Sequence, residues 1–386
     1  MTLRIAMLIQ RYYPLVGGAE RQVGALAPLL RSSGLDVQIV TRRYAGLADF
    51  ELIDGVPVHR LPIPGPKACA SLSYTLCALP LLRRLRPDLV HAHELFSPAT
   101  TALLAKHLLH VPVIATLHRS GAPGDVQRLR QKLLGTQRLA LFKRYIDLFV
   151  CISQEIRGEL MAVGVAESQM VCIPNGVDPI RFAPVSEANK RELRRRLGLP
   201  EGPLVIFSGR LVPEKRVQHL LAIWPALRQI CPQAVLVILG TGPLETELRA
   251  MAGAGVVFAG LVDDVHLYYQ AADIFVLPSV AEGLSVAMLE AMATGLAVVV
   301  TDVGGAAEVI NAGQHGLLVP PDDPMALQTA LLTLLLDAEQ RRSFGLQARQ
   351  RVLERYALPA VAQQLISVYQ RLRTQHTGDL QLVEPR

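Results

Sequence analysis

Short apolar runs of about five residues alternate with longer stretches whose apolar positions recur every three or four residues, and this rhythm fills most of the chain. Leu3 to Ile9 reads as a buried strand, Gly17-Gly18 as a flexible turn, and Ala19 to Arg31 as an amphipathic helix closed by Gly34. Val37 to Thr41, Leu89 to His91, Val111 to Thr116 and Leu148 to Ile152 continue as short strands with helical stretches between them. That order predicts a parallel sheet with crossover helices.

The rhythm pauses at Ile173-Pro174-Asn175-Gly176, where Pro and Asn-Gly mark a turn. A basic helix near Glu187 to Leu197 follows, then Gly198 and Pro200, so 174–203 reads as a connection between domains. Beyond it the theme repeats, with strands at Leu204 to Ser208, Ala234 to Leu239, Val256 to Phe258, Ile274 to Leu277 and Ala297 to Thr301. Helices are expected at about 324–336, 338–355 and 358–373, followed by a frayed polar tail. The fold class is therefore α/β, with two Rossmann-like doubly wound domains, 1–175 and 176–356, facing a central cleft.

Length agrees, because 386 residues exceed one ordinary core. With 51% hydrophobic and 19% charged residues the chain is not disordered. No uncharged apolar run reaches the ~20 residues that a membrane-spanning helix needs. The Ile5 to Ile9 run is too short for a signal-peptide core, so the expected location is the cytoplasm. Cys69, Cys77, Cys151, Cys172 and Cys231 form no CxxC pair and read as reduced, buried thiols. The net charge of +6 is concentrated between Arg128 and Arg144 and between Lys190 and Arg196, which suits phosphorylated substrates, anionic lipid or nucleic acid. Nucleic acid is disfavoured by 5% aromatics and the lack of a stacking motif.

The segment richest in chemistry runs from Pro278 to Ala293. A strand ends at Leu277, a loop carries Glu282 and Gly283, and a helix begins near Ser285. A helix start offers free N–H groups to hydroxyl or phosphate oxygens. Glu290 falls inside that otherwise apolar helix, where a carboxylate is costly unless something pairs with it. A second segment, Phe207 to Arg216, follows the first strand of the second half. There Gly209 permits close backbone approach, and Arg210 and Lys215 supply two cations suited to a diphosphate. Arg216 reads as merely solvated. Gly240-Thr241-Gly242-Pro243 ends another strand but lacks the third glycine of a dinucleotide fingerprint.

In the first half, Gly17-Gly18-Ala19-Glu20 opens a helix straight after a strand, and His118 ends an apolar strand. His91 and His93 read as structural or acceptor-side residues, with no third ligand for a metal site. The chain has no DxD pair, GxxxxGK[ST] loop, HExxH or GxSxG elbow, which weighs against a metal-dependent transferase, an ATPase and a serine hydrolase.

These residues resemble glycosyltransferase family 4, retaining enzymes of GT-B fold also described as glycosyl transferases group 1. The resemblance is strongest over 204–310 and looser from Met1 to Asn175. It rests on Glu282 and Glu290 with seven residues between them, in a segment similar to EGxxxxxLEAMAxG. The basic segment at Arg210 and Lys215 and the run Gly304-Gly305-Ala306-Ala307-Glu308 add to it. The resemblance implies that Arg210 and Lys215 bind the donor diphosphate and Glu290 the ribose. It implies that Glu282, with the amides of Gly283, Leu284 and Ser285, holds the donor sugar, and that Val262 contacts the base. Gly18 would approach the donor and His118 would lie near the reacting sugar. Family members often carry glycine where this chain has Ser285. Residues 357–386 would cross back onto the first domain.

The activity so implied moves a hexose-type sugar from a nucleoside-diphosphate-sugar to a glycan or lipid-linked acceptor, as in glycolipid, lipopolysaccharide or exopolysaccharide synthesis. Neither a metal nor another cofactor is expected, because Arg210, Lys215 and helix N-termini can stabilise the departing diphosphate. A sugar-nucleotide epimerase and a non-catalytic sugar-nucleotide-binding protein are the rival readings. Basic residues from Arg128 to Arg144, interleaved with leucines, and the apolar stretch Ala68 to Leu82 suggest a peripheral contact with the inner face of a membrane.

Overall fold

A computed structural model describes residues 2–63, 70–121 and 124–381, with side chains as far as 376. Ala68, Cys69 and the tail beyond 381, all named above, lie outside the described residues. Two units divide the chain: residues up to Asn175 with those from Pro359 onward, and Gly176–Leu358.

The first unit contains β1 (Arg4–Leu8), α1 (Gly18–Ser32), β2 (Asp36–Arg42), β3 (Phe50–Ile53) and β4 (Val56–Leu61). It continues with α2 (Ala70–Leu85), β5 (Leu89–His93), α3 (Ser97–Leu109), β6 (Val113–Leu117), α4 (Asp125–Arg130) and α5 (Gly135–Tyr145). The last elements before the boundary are β7 (Leu148–Cys151), α6 (Gln154–Ala162) and β8 (Met170–Cys172). The strands form one eight-stranded sheet in the order β3-β4-β2-β1-β5-β6-β7-β8. Strands β5, β6 and β7 are buried at every position, which is why they show no polar–apolar alternation with one face to solvent, and β5 buries His91 and His93 as well.

The wholly parallel sheet expected for this half needs correction at one edge, where β3 pairs antiparallel with β4. The hairpin turns through Asp54 and Gly55, both at positive φ, as a two-residue Asp-Gly turn requires.

The second unit begins with α7 (Glu187–Arg196), β9 (Leu204–Ser208), α8 (Val217–Ile230), β10 (Val235–Leu239) and α9 (Glu245–Met251). Then come β11 (Val256–Gly260), α10 (Val265–Ala271), β12 (Ile274–Leu277), α11 (Val286–Ala293), β13 (Ala297–Thr301) and α12 (Ala306–Val309). It closes with β14 (Leu317–Val319), α13 (Pro324–Leu336) and α14 (Ala338–Arg355). Its six-stranded sheet has the order β11-β10-β9-β12-β13-β14 and is parallel throughout.

The expected connection at 174–203 is in fact partly built into this unit. Lys190 and Arg194 of α7 both bond the Asp273 carboxylate, at 2.5 and 2.7 Å, and Arg194 also donates to the carbonyls of Ala271 and Gly202. Burial alone would raise the Asp273 carboxyl, but the two cations hold it below the usual range. Part of the basic cluster from Lys190 to Arg196 is thus consumed in packing.

A final helix, α15 (Leu358–Gln381), runs past the expected end near 373, and its residues from Pro359 belong with the first unit. The buried His91 ring joins Tyr369 of this helix to Thr116 of β6, at 2.7 Å on each side. Among the described cysteines only Cys151 is buried, and Cys172 is exposed, so the expectation of uniformly buried thiols fails there.

Candidate active site

In the second unit, four loops meet at the carboxyl ends of the central strands, where open α/β sheets bind ligands. The loops after β9 and β10 are laced together by Gly209 N–H donating to Leu239 O and Leu211 N–H to Thr241 O, at 3.0 and 2.9 Å. Glycine is obligatory at position 240: φ is +119° and a Cβ would stand 2.0 Å from Gly209 O. The loop after β9 touches the loop after β12 through Val280 N–H to Glu214 O, 2.9 Å. The loop after β13 braces Glu282 and Gly283 from behind. Gly305 N–H donates to Gly283 O at 2.6 Å, and a Cβ on Gly304 would meet that same carbonyl at 2.4 Å.

On this frame Lys215 Nζ is ion-paired with Glu282 Oε1, and both side chains are largely shielded from water. Arg210 reaches Glu214 at 3.6 Å, and Arg216 is taken up by Asp322 at 2.6 Å. Arg210, Lys215 and Glu282 are therefore linked through two touching loops. Ser285 is the N-cap of α11, its hydroxyl accepting from Met288 N–H at 3.3 Å. Glu290 is buried in that helix at 5% exposure rather than facing solvent, and Leu284 is buried at 6%. Val262 lies in the loop after β11, the edge strand, which two strands separate from β12.

In the first unit, Gly18 opens α1, and a Cβ there would meet no described atom within 4 Å. His118 follows β6, and its Nε2 lies 3.1 Å from His93 Nδ1, one ring donating and the other accepting. The three rings of His91, His93 and His118 stack in sequence, with centroids 4.3 and 5.3 Å apart. Burial pulls the His91 and His118 imidazoles down to about 3, so both are neutral at physiological pH. The His118 amide donates to the Asp125 carboxylate at 2.9 Å.

Sequence reading passed over Glu94 and Asp125 at this rim. Burial, then the negative charges of Asp125 and Glu20, pushes the Glu94 carboxyl up to about 7 against Arg119 and Arg11. Burial likewise raises Asp125 to about 6 despite the amides and cations around it. The available signal was positional: Glu94 is the first residue past an apolar strand, at its carboxyl end.

Two α/β units built on parallel sheets are the architecture of GT-B glycosyltransferases, and comparison with known proteins agrees. Residues 202–337 match the family model of glycosyl transferases group 1, and residues 16–181 match that of glycosyltransferase family 4. The phosphatidyl-myo-inositol mannosyltransferase of Mycolicibacterium smegmatis is 30% identical over 383 residues, covering 95% of this chain and 94% of that protein. The sucrose-phosphate synthase of Thermosynechococcus elongatus superposes with a TM-score of 0.83 at 25% identity, over 97% of this chain and 100% of that one. Anabaena HepE, solved in complex with UDP-glucose, gives a TM-score of 0.81 at 21% identity, over 96% of this chain and 100% of that one. The chain belongs to the group 1 glycosyltransferases of family 4. It is a glycosyltransferase of GT-B fold.

Proposed function

We propose that the protein is a retaining, metal-independent glycosyltransferase. It takes a hexose-type sugar from a nucleoside-diphosphate-sugar and delivers it to the hydroxyl of a glycan or lipid-linked acceptor in glycolipid or polysaccharide synthesis. The observation that carries this reading is the Lys215–Glu282 pair, set in glycine-braced loops with Arg210 and followed by α11, which carries the buried Glu290. Arg210 and Lys215 stabilise the charge that develops on the leaving diphosphate. Glu282, with the amides of Gly283, Leu284 and Ser285, holds the sugar as it becomes oxocarbenium-like. Glu290 takes the ribose and Val262 the base. Gly18 and His118 are assigned to the donor's phosphate and sugar ends, and a neutral His118 serves there as a hydrogen-bonding group rather than a charge.

The relatives lend support in kind: one is named for mannosyl transfer to a phosphoinositide, and a structural neighbour holds UDP-glucose. The test is a thermal-shift panel of UDP-glucose, GDP-mannose and ADP-glucose against the purified protein. A clear stabilisation by one of them, lost in Glu290→Gln, supports the donor site. Equal melting with all three and with none would sink it.

A further inference from the structure

We propose that Glu94 accepts the proton of the acceptor hydroxyl. This rests on the transferase reading above and adds a residue that it does not use.

The position is the topological switch of the first sheet. From β1 the chain moves to β2 on one side, whereas β5 lies on the other, and crevices at such switches are where doubly wound sheets bind ligands. Glu94 stands at the carboxyl end of β5, beside that crevice. Its amide is spent on Thr116 O at 2.9 Å, but among the described residues no side chain hydrogen-bonds or ion-pairs with its carboxylate. Its neighbour His93 is 3% exposed, and His93 Nε2 has no hydrogen-bond partner among the described residues. The carboxylate without a side-chain partner at this strand end leaves an acceptor position for a hydroxyl-bearing ligand. Glu94 also sits at φ +78°, a left-handed conformation that costs a non-glycine residue energy and recurs at functional sites.

The charges that face Glu94 come from every neighbouring segment. Arg11 and Glu20, themselves paired at 3.3 Å, flank it from the β1–α1 side, and Arg119 and Asp125 from the β6–α4 side. Tyr44 and Tyr74 also feel its charge. His93 precedes Glu94 in the chain, and His118 stacks on His93. Burial and the two carboxylates together leave Glu94 ionising near neutrality, where a general base works best.

In the step, the acceptor O–H bond breaks and its proton goes to the Glu94 carboxylate. The freed oxygen pair forms the bond to the anomeric carbon, and the carbon–diphosphate bond breaks with its pair leaving on the diphosphate. Protonated Glu94 then returns its proton to water.

The experiment uses the nucleotide-sugar selected by the thermal-shift panel, with water as the acceptor, and follows release of the nucleoside diphosphate against pH. Wild-type turnover should rise through an inflection near neutral pH. Glu94→Gln should lower turnover at least tenfold, leave donor KM within about twofold and erase the inflection. Glu94→Asp should recover part of the rate and keep the inflection. A Glu94→Gln enzyme that binds donor and keeps the wild-type pH profile overturns the proposal alone. A wild-type protein that binds no nucleotide-sugar overturns it together with the reading beneath it.

Discussion

Lys215 and Glu282, 67 positions apart in the chain, form an ion pair in which each side chain is only 15% exposed. A pair this shielded couples its partners more strongly than a surface pair does. It also means that the cation assigned to the diphosphate and the carboxylate assigned to the sugar position each other. Lys215→Ala or Arg210→Ala should lower turnover by at least tenfold, since losing one charge contact to a developing anion costs about 2.7–4 kcal/mol. The double variant Lys215→Ala with Glu282→Gln should cost less than the sum of its parts, with a coupling of about 0.5–3 kcal/mol. Steady-state kinetics on the four proteins decides it, and strict additivity would mean that the pair does not act as a unit.

Glu282 and Glu290 should separate kinetically. Glu282 lies in the loop against Lys215, whereas Glu290 lies within α11. Glu290→Gln should mainly raise donor KM, and Glu282→Gln should mainly lower kcat. Equal KM and kcat effects in the two variants would refute that division.

Much of this frame was legible because buried parallel strands announce themselves as apolar runs, and every one of β9 to β13 coincides with a run expected from the sequence. What escaped has physical causes. The β3–β4 hairpin is an edge, with Phe50 and Leu52 exposed, so it lacks a continuous apolar signature, although its Asp54-Gly55 turn was readable. The α7 segment looks like a charged linker because its anchors are Lys190 and Arg194, and their partner Asp273 is distant in sequence. In the candidate site, Glu282 and Glu290 stood out by spacing, whereas their environment did not. That Lys215 pairs with Glu282, or that Ser285 spends its hydroxyl on capping α11, depends on loop contacts that no local pattern encodes. Glu94 was missed for the opposite reason: one carboxylate after a strand is common, and only its neighbours make it unusual.

Turnover should survive excess EDTA, since the proposed site assigns to Arg210 and Lys215 the role that a DxD-bound cation plays elsewhere. Diphosphate release measured with and without chelator tests this. Complete loss that added magnesium or manganese restores would reassign the charge stabilisation to a metal.

Stability should carry a pH signature of Glu94 as well. Its folded pKa of about 7 lies above the ordinary carboxylate value, so its contribution to stability is fully present at low pH. That contribution is lost as pH rises from the unfolded value toward the folded one, because the folded state must then ionise a half-buried carboxyl beside two other carboxylates. Glu94→Gln should therefore raise the melting temperature at about pH 8 and change it far less at about pH 5. Melting curves at both pH values check the sign. A variant less stable at the higher pH would show that the ionised carboxylate is favourably held.

The basic, leucine-rich stretch from Arg128 to Arg144 divides in a way that sharpens the membrane prediction. Leu129, Leu139 and Phe142 face the core, whereas Leu133, Leu134 and Leu141 are exposed at 88%, 58% and 46%. The basic residues divide too. Arg138 donates to Phe96 O and Thr100 Oγ1, and Lys143 to Val163 O, so both serve the fold. Arg128, Arg130, Lys132 and Arg144 remain exposed. Neighbouring helices extend the apolar side, since α2 packs on α3 and α3 on α5, and Leu72, Leu76, Leu104 and Leu108 are exposed on them. No described helix is long and apolar enough to cross a membrane. Each exposed cation near an anionic leaflet contributes about 1 kcal/mol, and the attraction weakens as salt screens it. The protein should therefore co-sediment with anionic liposomes at low ionic strength, less at high ionic strength, and hardly at all with neutral ones. Exchanging Arg130 and Lys132 for glutamate should abolish the difference. Equal recovery with anionic and neutral lipid, or none with either, would assign the acceptor to solution rather than to a bilayer.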